Sequence, residues 1–199
     1  MWTAMLRQAL YALVFVYADD ILLLAPSVLA LQSLLHVCGQ ELLQLDMAVN
    51  VRKSSRTRIG PRFSVKCCCV TTLNGAALAW TDTVRYLGVY IMAAHRFCCS
   101  LHNAKRSFYW AFNCILGKIG RIASENVIIE LLKIKCLACM YYGLEACPVS
   151  KSQIKSLYFA VNSAFRKIFL IKSYDAADEC MSFLIVLSLR QFIVGKLNF

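Results

Sequence analysis

Length and composition allow one domain or two small ones with a sizeable core, because 59% of the 199 residues are hydrophobic. The chain carries 22 Lys and Arg against 11 Asp and Glu, a net charge of +11. This excess favours a polyanionic partner, either nucleic acid or an acidic membrane surface.

Cysteine content and hydropathy indicate the cellular compartment of the protein. Eleven cysteines would suit a disulfide framework only in a secreted protein, and residues 1–9 lack the apolar core and cleavage site of a signal peptide. We therefore expect reduced, buried thiols in an intracellular protein, cytoplasmic or nuclear and not secreted. A membrane span over residues 9–31 is not expected, because Asp19 and Asp20 lie in its middle, where carboxylates are costly.

The most informative stretch is residues 12–27, ALVFVYADDILLLAPS. Two apolar runs of strand length, residues 14–16 and 21–24, flank an acid pair. They predict a hairpin that bends at residues 18–20 and holds Asp19 and Asp20 at its tip. Paired carboxylates suit a hard divalent cation such as Mg²⁺, which takes oxygen ligands. An ordinary turn, in which Asp is common, is the alternative.

A helix and a basic run follow the hairpin. Ser27 is a good N-cap, and the apolar spacing after it predicts a helix over 28 to about 47 with one face packed on a sheet. Gly39 should weaken this helix by about 1 kcal/mol relative to Ala. Some of the next cations belong to a solvated loop, but a run of six without an acid predicts a phosphate-facing rim. The run comprises Arg52, Lys53, Arg56, Arg58, Arg62 and Lys66.

The rest of the chain is predicted to form strands first and then helices. Apolar runs at 65–70 and 76–80 flank an Asn-Gly turn, a strong hairpin signal, and residues 84–91 predict one further strand. Helices are predicted at about 100–117, 125–142, 151–171 and 175–194. The fold class is therefore α+β, with two domains at residues 1–92 and 93–199.

Basic and aromatic side chains lie together at the start of the helical part. No acid occurs from residue 83 to 124, while Tyr109, Trp110 and Phe112 accompany several cations. That combination suits a nucleic-acid groove with base stacking, although aromatics at this spacing more often belong to a core. His95, Cys98, Cys99 and His102 form a compact cluster, but their spacing matches no standard zinc site.

Several blocks, in this order, resemble one family. YADDILLLAPS resembles the catalytic hairpin of the reverse transcriptases of non-LTR (LINE-like) retrotransposons, and LQSLLHVCGQELLQLDMAVN, RIGPRF, VRYLGVYI and KCLACMYYGLEACP are similar to the blocks that follow it. The resemblance implies a partial reverse-transcriptase palm, made of the hairpin, a packed helix and short strands, followed by an α-helical thumb-like region. It also implies an RNA-directed DNA polymerase acting on an RNA template and a DNA primer with dNTPs.

The resemblance assigns roles to individual residues. Asp19 and Asp20 match the catalytic carboxylates that hold two Mg²⁺ ions, and Lys53 matches a lysine that acts on the leaving pyrophosphate. Tyr86, Leu87 and Gly88 match the primer grip. The further nucleic-acid contacts implied are Tyr17 and Ala18 at the primer terminus and, in the duplex-tracking helices, Lys105 and Arg106.

Two departures limit what the resemblance implies. The family's third aspartate, on an earlier strand, has no counterpart, since no acid precedes Asp19. Ala138 also stands where a proline is usual. We therefore expect no polymerase activity from this chain alone. The alternatives are a non-catalytic basic nucleic-acid-binding module, or the inert product of a decayed element that folds poorly.

Overall fold

A computed structural model describes residues 12–65, 67–120, 122–173 and 176. The chain is mixed α+β, as predicted, and divides into two compact units, Met1–Cys98 and Cys99–Phe199. The β-strands belong to the first unit and helices dominate the second. The helix predicted at 175–194 lies, apart from residue 176, outside the described residues.

The first element of the described part of this unit is the predicted hairpin, which is confirmed. Strands β1 (Leu13–Tyr17) and β2 (Asp20–Leu24) pair antiparallel, from Leu13 opposite Leu24 to Tyr17 opposite Asp20. Apolar runs on both sides of a short turn favour this pairing, because each strand needs a partner for its backbone N–H and C=O groups.

Helix α1 (Val28–Gln44) follows and confirms the predicted packed helix. The Ser27 Oγ accepts a hydrogen bond from the Ala30 N–H at 3.1 Å, as expected of an N-cap. Gly39 is more than a weak point: a Cβ there would lie 2.9 Å from Leu73 Cδ1. The glycine therefore lets the loop carrying Leu73 pack closely on α1.

Three short elements correct the prediction for residues 63–92. Residues 65–70 form no strand where the structure describes them; Thr71 and Ala77 make a single antiparallel bridge around the Gly75 turn. The strand β4 (Ala79–Trp80) pairs instead in parallel with β3 (Ser55–Arg56), far back in the sequence. Local turn signals could not show a partner so distant along the chain.

The single strand predicted at 84–91 is also wrong. Two strands, β5 (Thr83–Tyr86) and β6 (Val89–Met92), form an antiparallel hairpin with Leu87 and Gly88 as its turn. Leu87 has φ 46° and Gly88 has φ 79°. Positive φ at both central residues is the signature of the type I′ turn that closes tight hairpins. The apolar run at residues 84–91 therefore contains a turn and does not form one strand.

The second unit contains the predicted helices α2 (His102–Ile119) and α5 (Lys151–Ile168). Between them, α3 (Glu125–Leu131) continues as a π-helical segment (Leu132–Leu137) into α4 (Ala138–Tyr141), and a 3₁₀ turn (Leu144–Ala146) follows. Gly143, at φ 71°, ends this run. Ser150 and Gln153 form a capping box at the start of α5.

Each unit has its own apolar cluster. The second unit buries Phe108, Phe112 and Phe165 almost completely, together with Leu132 and Met140, in a cluster that spans its described helices. Among the described residues, the cluster of the first unit is small. Its buried members are Leu35, Val70 and Leu78.

Candidate catalytic hairpin and basic surfaces

The tip of the first hairpin is narrower than predicted. Tyr17 opposes Asp20, so the turn consists of Ala18 and Asp19 alone, and Asp20 is the first residue of β2. Ala18 adopts φ 51°, a left-handed conformation that costs a residue with a Cβ roughly 1–2 kcal/mol. The structure thus holds a non-glycine residue in a strained turn immediately before the acid pair.

Both carboxylates at this tip face solvent. Asp19 and Asp20 are exposed, and neighbouring Tyr17 keeps 65% of its surface accessible. Their oxygens are the donors that Mg²⁺ prefers, and this ion is commonly held by one or two carboxylates together with water and substrate phosphates. The donor set fits Mg²⁺ in kind. No third acid joins it, because the described residues contain no group of three or more His, Cys, Asp or Glu side chains.

Lys53 lies on an ordered turn that ends the segment after α1. The Asn50 side chain accepts from the N–H groups of Arg52 at 3.1 Å and of Lys53 at 3.2 Å, an Asx turn that fixes the backbone. The Lys53 side chain is exposed. It pairs with neither carboxylate, since the ion pair in the described ranges is Lys133 with Glu130 at 2.7 Å.

The residues implied for primer contact, Tyr86, Leu87 and Gly88, form the tip of the second hairpin. Gly88 is exposed, whereas Tyr86 and Leu87 are half-buried. The first unit therefore displays two short hairpins whose tips carry seven of the residues singled out from the sequence, and Lys53 lies on a separate turn.

Lys105 and Arg106, adjacent in sequence, have different environments on α2. The Lys105 Nζ donates a hydrogen bond of 2.8 Å to the Ser156 Oγ, which ties α2 to α5. Arg106 is exposed. The structure thus gives Lys105 a contact within the helical unit and leaves Arg106 facing solvent.

The aromatics of α2 separate into core and surface. Phe108 and Phe112 are buried with their rings stacked at a centroid distance of 6.3 Å, so the core interpretation is correct for Phe112. Trp110 is 71% exposed, one helical turn beyond Arg106. We call the exposed side of this helix the α2 outer face. Its members include His102, Arg106, Trp110, Asn113 and Lys118.

The basic run is not the uniform rim that was predicted. Arg52, Lys53 and Arg62 are exposed, but Arg56 keeps only 5% of its surface. Its guanidinium carbon lies 4.3 Å from the centre of the Trp80 ring. The sequence carried no local signal for this pair, because it depends on the parallel β3–β4 pairing.

The cysteines are only partly as expected. Three of the described cysteines, Cys99, Cys136 and Cys147, are buried. Burial, and secondarily the nearby Cys139, raises the pKa of Cys136 to about 11, so it stays protonated and unreactive at neutral pH. The expectation of burial is wrong for four others, which are exposed: Cys68, Cys69, Cys114 and Cys139.

Comparison with known proteins adds no relative: no family model, no curated protein and no solved structure matches this chain. Among the helices that the structure describes, none is both long and apolar enough to cross a membrane.

Proposed function

We propose that this chain is part of an RNA-directed DNA polymerase of the non-LTR retrotransposon type, acting inside the cell on an RNA template and a DNA primer. The observation that supports this best is the exposed hairpin tip Tyr17-Ala18-Asp19-Asp20, which presents two carboxylates between apolar strands. The order of the later blocks along the sequence supports the same proposal.

The chemistry of the tip agrees with phosphoryl transfer. Bound Mg²⁺ would activate an attacking hydroxyl and stabilise the leaving oxygen. Asp19 and Asp20 would hold the metal through their carboxylate oxygens. Lys53, exposed and free of any ion pair with these acids, would be available to neutralise a leaving pyrophosphate. The Leu87–Gly88 tip would contact the primer backbone.

The same geometry leads us to propose that the chain does not polymerise by itself. The tip contributes two carboxylates, and the family resembled uses a third. A primer-extension assay with RNA template, dNTPs and Mg²⁺ tests this point. We expect no extension product; a product that disappears in Asp19→Ala would contradict the proposal.

Metal binding at the tip can be tested separately from catalysis. Mn²⁺, a spectroscopic substitute for Mg²⁺, should bind the intact chain weakly, and Asp19→Ala with Asp20→Ala should reduce its affinity about tenfold, the effect of losing roughly 1.4 kcal/mol. Asp46→Asn is the matched control, because Asp46 adopts φ 56°, which Asn tolerates well. Equal Mn²⁺ affinity in all three proteins would exclude the hairpin as the metal site.

The second candidate function is a non-catalytic nucleic-acid-binding module, and the α2 outer face favours it. Trp110 is exposed one helical turn beyond Arg106, Lys118 is exposed further along the same helix, and residues 83–124 contain no acid. Exposed aromatics beside cations bind single strands by stacking and by phosphate contacts. Trp110→Ala should weaken binding to single-stranded RNA by about 1–3 kcal/mol, whereas Tyr142→Ala, a similarly exposed aromatic at 65%, should not.

The salt dependence of RNA binding distinguishes this module from an inert product. Each phosphate contact contributes about −0.7 to the slope of log affinity against log salt concentration for a single strand. Arg106→Gln should therefore make the slope shallower by about this amount. A chain that neither binds RNA nor melts cooperatively would instead be the inert product of a decayed element.

A further inference from the structure

The Arg56 side chain is buried without hydrogen-bond partners in the first unit. Only 5% of its surface is accessible, and the enclosed Nε and Nη1 atoms have no acceptor. Buried guanidinium groups normally donate to a carboxylate or to carbonyl oxygens, because an unpaired buried charge is strongly unfavourable. The Arg56 environment is therefore incomplete.

The strand pairing explains how this side chain came to be held there. In the parallel β3–β4 pair, Arg56 is the register partner of Trp80, so both side chains lie on one face and the guanidinium covers the indole ring at 4.3 Å. The face of the guanidinium thus makes a favourable cation–π interaction with the ring. Its N–H donors lie in the guanidinium plane, however, and the ring cannot accept from them.

A second cation shares the same ring. The Arg58 guanidinium carbon lies 5.6 Å from the centre of Trp80. Its Nη1 donates to the carbonyl oxygens of Arg62 at 2.7 Å and Val65 at 3.3 Å, which hold the side chain in position. Two guanidinium groups are thus fixed around one indole, and like charges so placed repel each other.

No acid balances this pair. Residues 47–81 contain neither Asp nor Glu, and the ion pair in the described ranges is in the other unit, between Lys133 and Glu130. The Arg56 Nη2 is not among the enclosed unpartnered atoms, and the residue retains a small accessible surface. The guanidinium therefore opens to solvent at one end, where an anion can reach it.

We propose that Arg56, Arg58 and Trp80 form a binding site for a phosphate group. Through its open Nη2, Arg56 can donate a charge-assisted hydrogen bond to one oxygen of a tetrahedral oxyanion, and one such anion would neutralise both cations. The site is distinct from the acid hairpin, and its existence does not depend on polymerase function. It takes the phosphate either free in solution or as part of a nucleic-acid backbone.

The test is a phosphate titration of the full-length chain labelled with ¹⁵N at its three tryptophans. The Trp80 indole signal, assigned by its loss in Trp80→Phe, should shift saturably with inorganic phosphate and not with chloride at equal ionic strength. The same phosphate addition should raise the melting temperature by about 5 °C.

Variants show whether the two arginines are responsible. Arg56→Met, which keeps volume without charge, and Arg58→Gln should each reduce phosphate affinity at least tenfold. Arg85→Gln is the matched control, because Arg85 also lies over an aromatic ring, Tyr90 at 6.0 Å, but is exposed. Arg58 is only half-buried, so its variant keeps the test valid if Arg56→Met fails to fold.

The source of the phosphate is decided by competition. If a short single-stranded oligonucleotide displaces phosphate, as read from the Trp80 signal, the site binds a nucleic-acid backbone. If the oligonucleotide does not displace it, the site binds free phosphate. Both outcomes support a phosphate site. The proposal is overturned if phosphate and chloride affect the Trp80 signal equally, or if both arginine variants retain the wild-type phosphate affinity.

Discussion

The two units of this chain distribute their apolar residues in opposite ways. In the helical unit, large side chains such as Phe108, Phe112 and Phe165 are almost fully buried and join several helices into one cluster. In the hairpin unit, Leu13, Phe15 and Tyr17 of β1 are between 47% and 65% exposed. The described residues of the helical unit therefore form the larger buried cluster, although Trp110 and Ile122 remain 71% and 88% exposed, whereas those of the hairpin unit leave more of their apolar surface open to water.

The difference also concerns the backbone. Every sheet in the described ranges has two strands, and an isolated two-stranded hairpin is marginally stable in water. Helices satisfy their hydrogen bonds internally, so the second unit does not depend on distant pairing. We expect it to be the more stable of the two.

Core truncation should give the largest effects and test this comparison directly. Phe108→Ala should destabilise the helical unit by about 3–5 kcal/mol, because it removes a fully buried ring. Leu35→Ala in the hairpin unit should cost about 2 kcal/mol, at the low end for Leu, since few buried neighbours surround it. Amide hydrogen exchange, read separately for each unit, measures both losses.

Equal losses of stability in one shared unfolding transition would contradict the expected difference in stability between the two units. Val37→Ala, at a position 40% exposed on the same helix as Leu35, is the control for nonspecific weakening of α1. It should change the stability by less than about 0.5 kcal/mol.

Alkaline pH should destabilise the helical unit. Burial raises the pKa of Cys136 to about 11, and burial raises the pKa of Tyr141 still further above its usual value. Both groups are therefore held neutral in the folded state, so their stabilisation is complete below the unfolded pKa and is lost as pH rises through the folded one. For Cys136 this loss falls between about pH 9 and pH 11.

The measurement is the melting temperature of the wild type and of Cys136→Ala across this pH range. Between neutral and alkaline pH, the melting temperature of Cys136→Ala should fall by less than that of the wild type. Identical pH profiles for the two proteins would show that Cys136 ionisation does not contribute.

The sequence was a good guide to two elements that depend on near neighbours. Apolar spacing and Ser27 located α1, and the YADD stretch located the first hairpin. It failed for the parallel pairing of Arg56 with Trp80 and for the hairpin turn at Gly88. The first requires segments far apart in sequence to meet, and the second lies inside an apolar run that reads equally well as one strand.

The candidate sites likewise contain features that could be predicted from the sequence and features that could not. The exposure of Asp19 and Asp20 follows from their place in a turn and could be predicted. The burial of Arg56 could not, because a cation in a basic run is normally solvated. Whether Lys53 acts with the acid pair remains a prediction, since the ion pair in the described ranges is Lys133 with Glu130.

Helix caps should give intermediate and nearly equal effects in the two units. Ser27 caps α1 through its side chain, and Ser150 does the same for α5 within a capping box. Each change to Ala should cost about 1 kcal/mol, measured by denaturant unfolding. Ser150→Ala should cost slightly more, because the Ser150 hydroxyl also hydrogen-bonds to the Ser152 hydroxyl at 2.9 Å, while the Gln153 side chain keeps its bond to the backbone N–H of residue 150. A much larger loss at Ser27 would mean that the hairpin unit depends on this cap more than its small core suggests.

The smallest effect distinguishes the two hairpin tips. Ala18 of the first tip holds φ 51° without being glycine, as Leu87 of the second tip does at φ 46°, whereas the neighbouring Gly88 holds φ 79° at no steric cost. Ala18→Gly should therefore relieve strain and stabilise the first hairpin by about 0.5–1 kcal/mol, the left-handed cost less the greater chain entropy of glycine. Gly88→Ala should destabilise the second hairpin by about 1 kcal/mol for the converse reason. Protection of the β1–β2 and β5–β6 amides from hydrogen exchange reports each tip separately. If Ala18→Gly lowers protection, the turn before Asp19 is not strained, and the distinction between the two tips disappears.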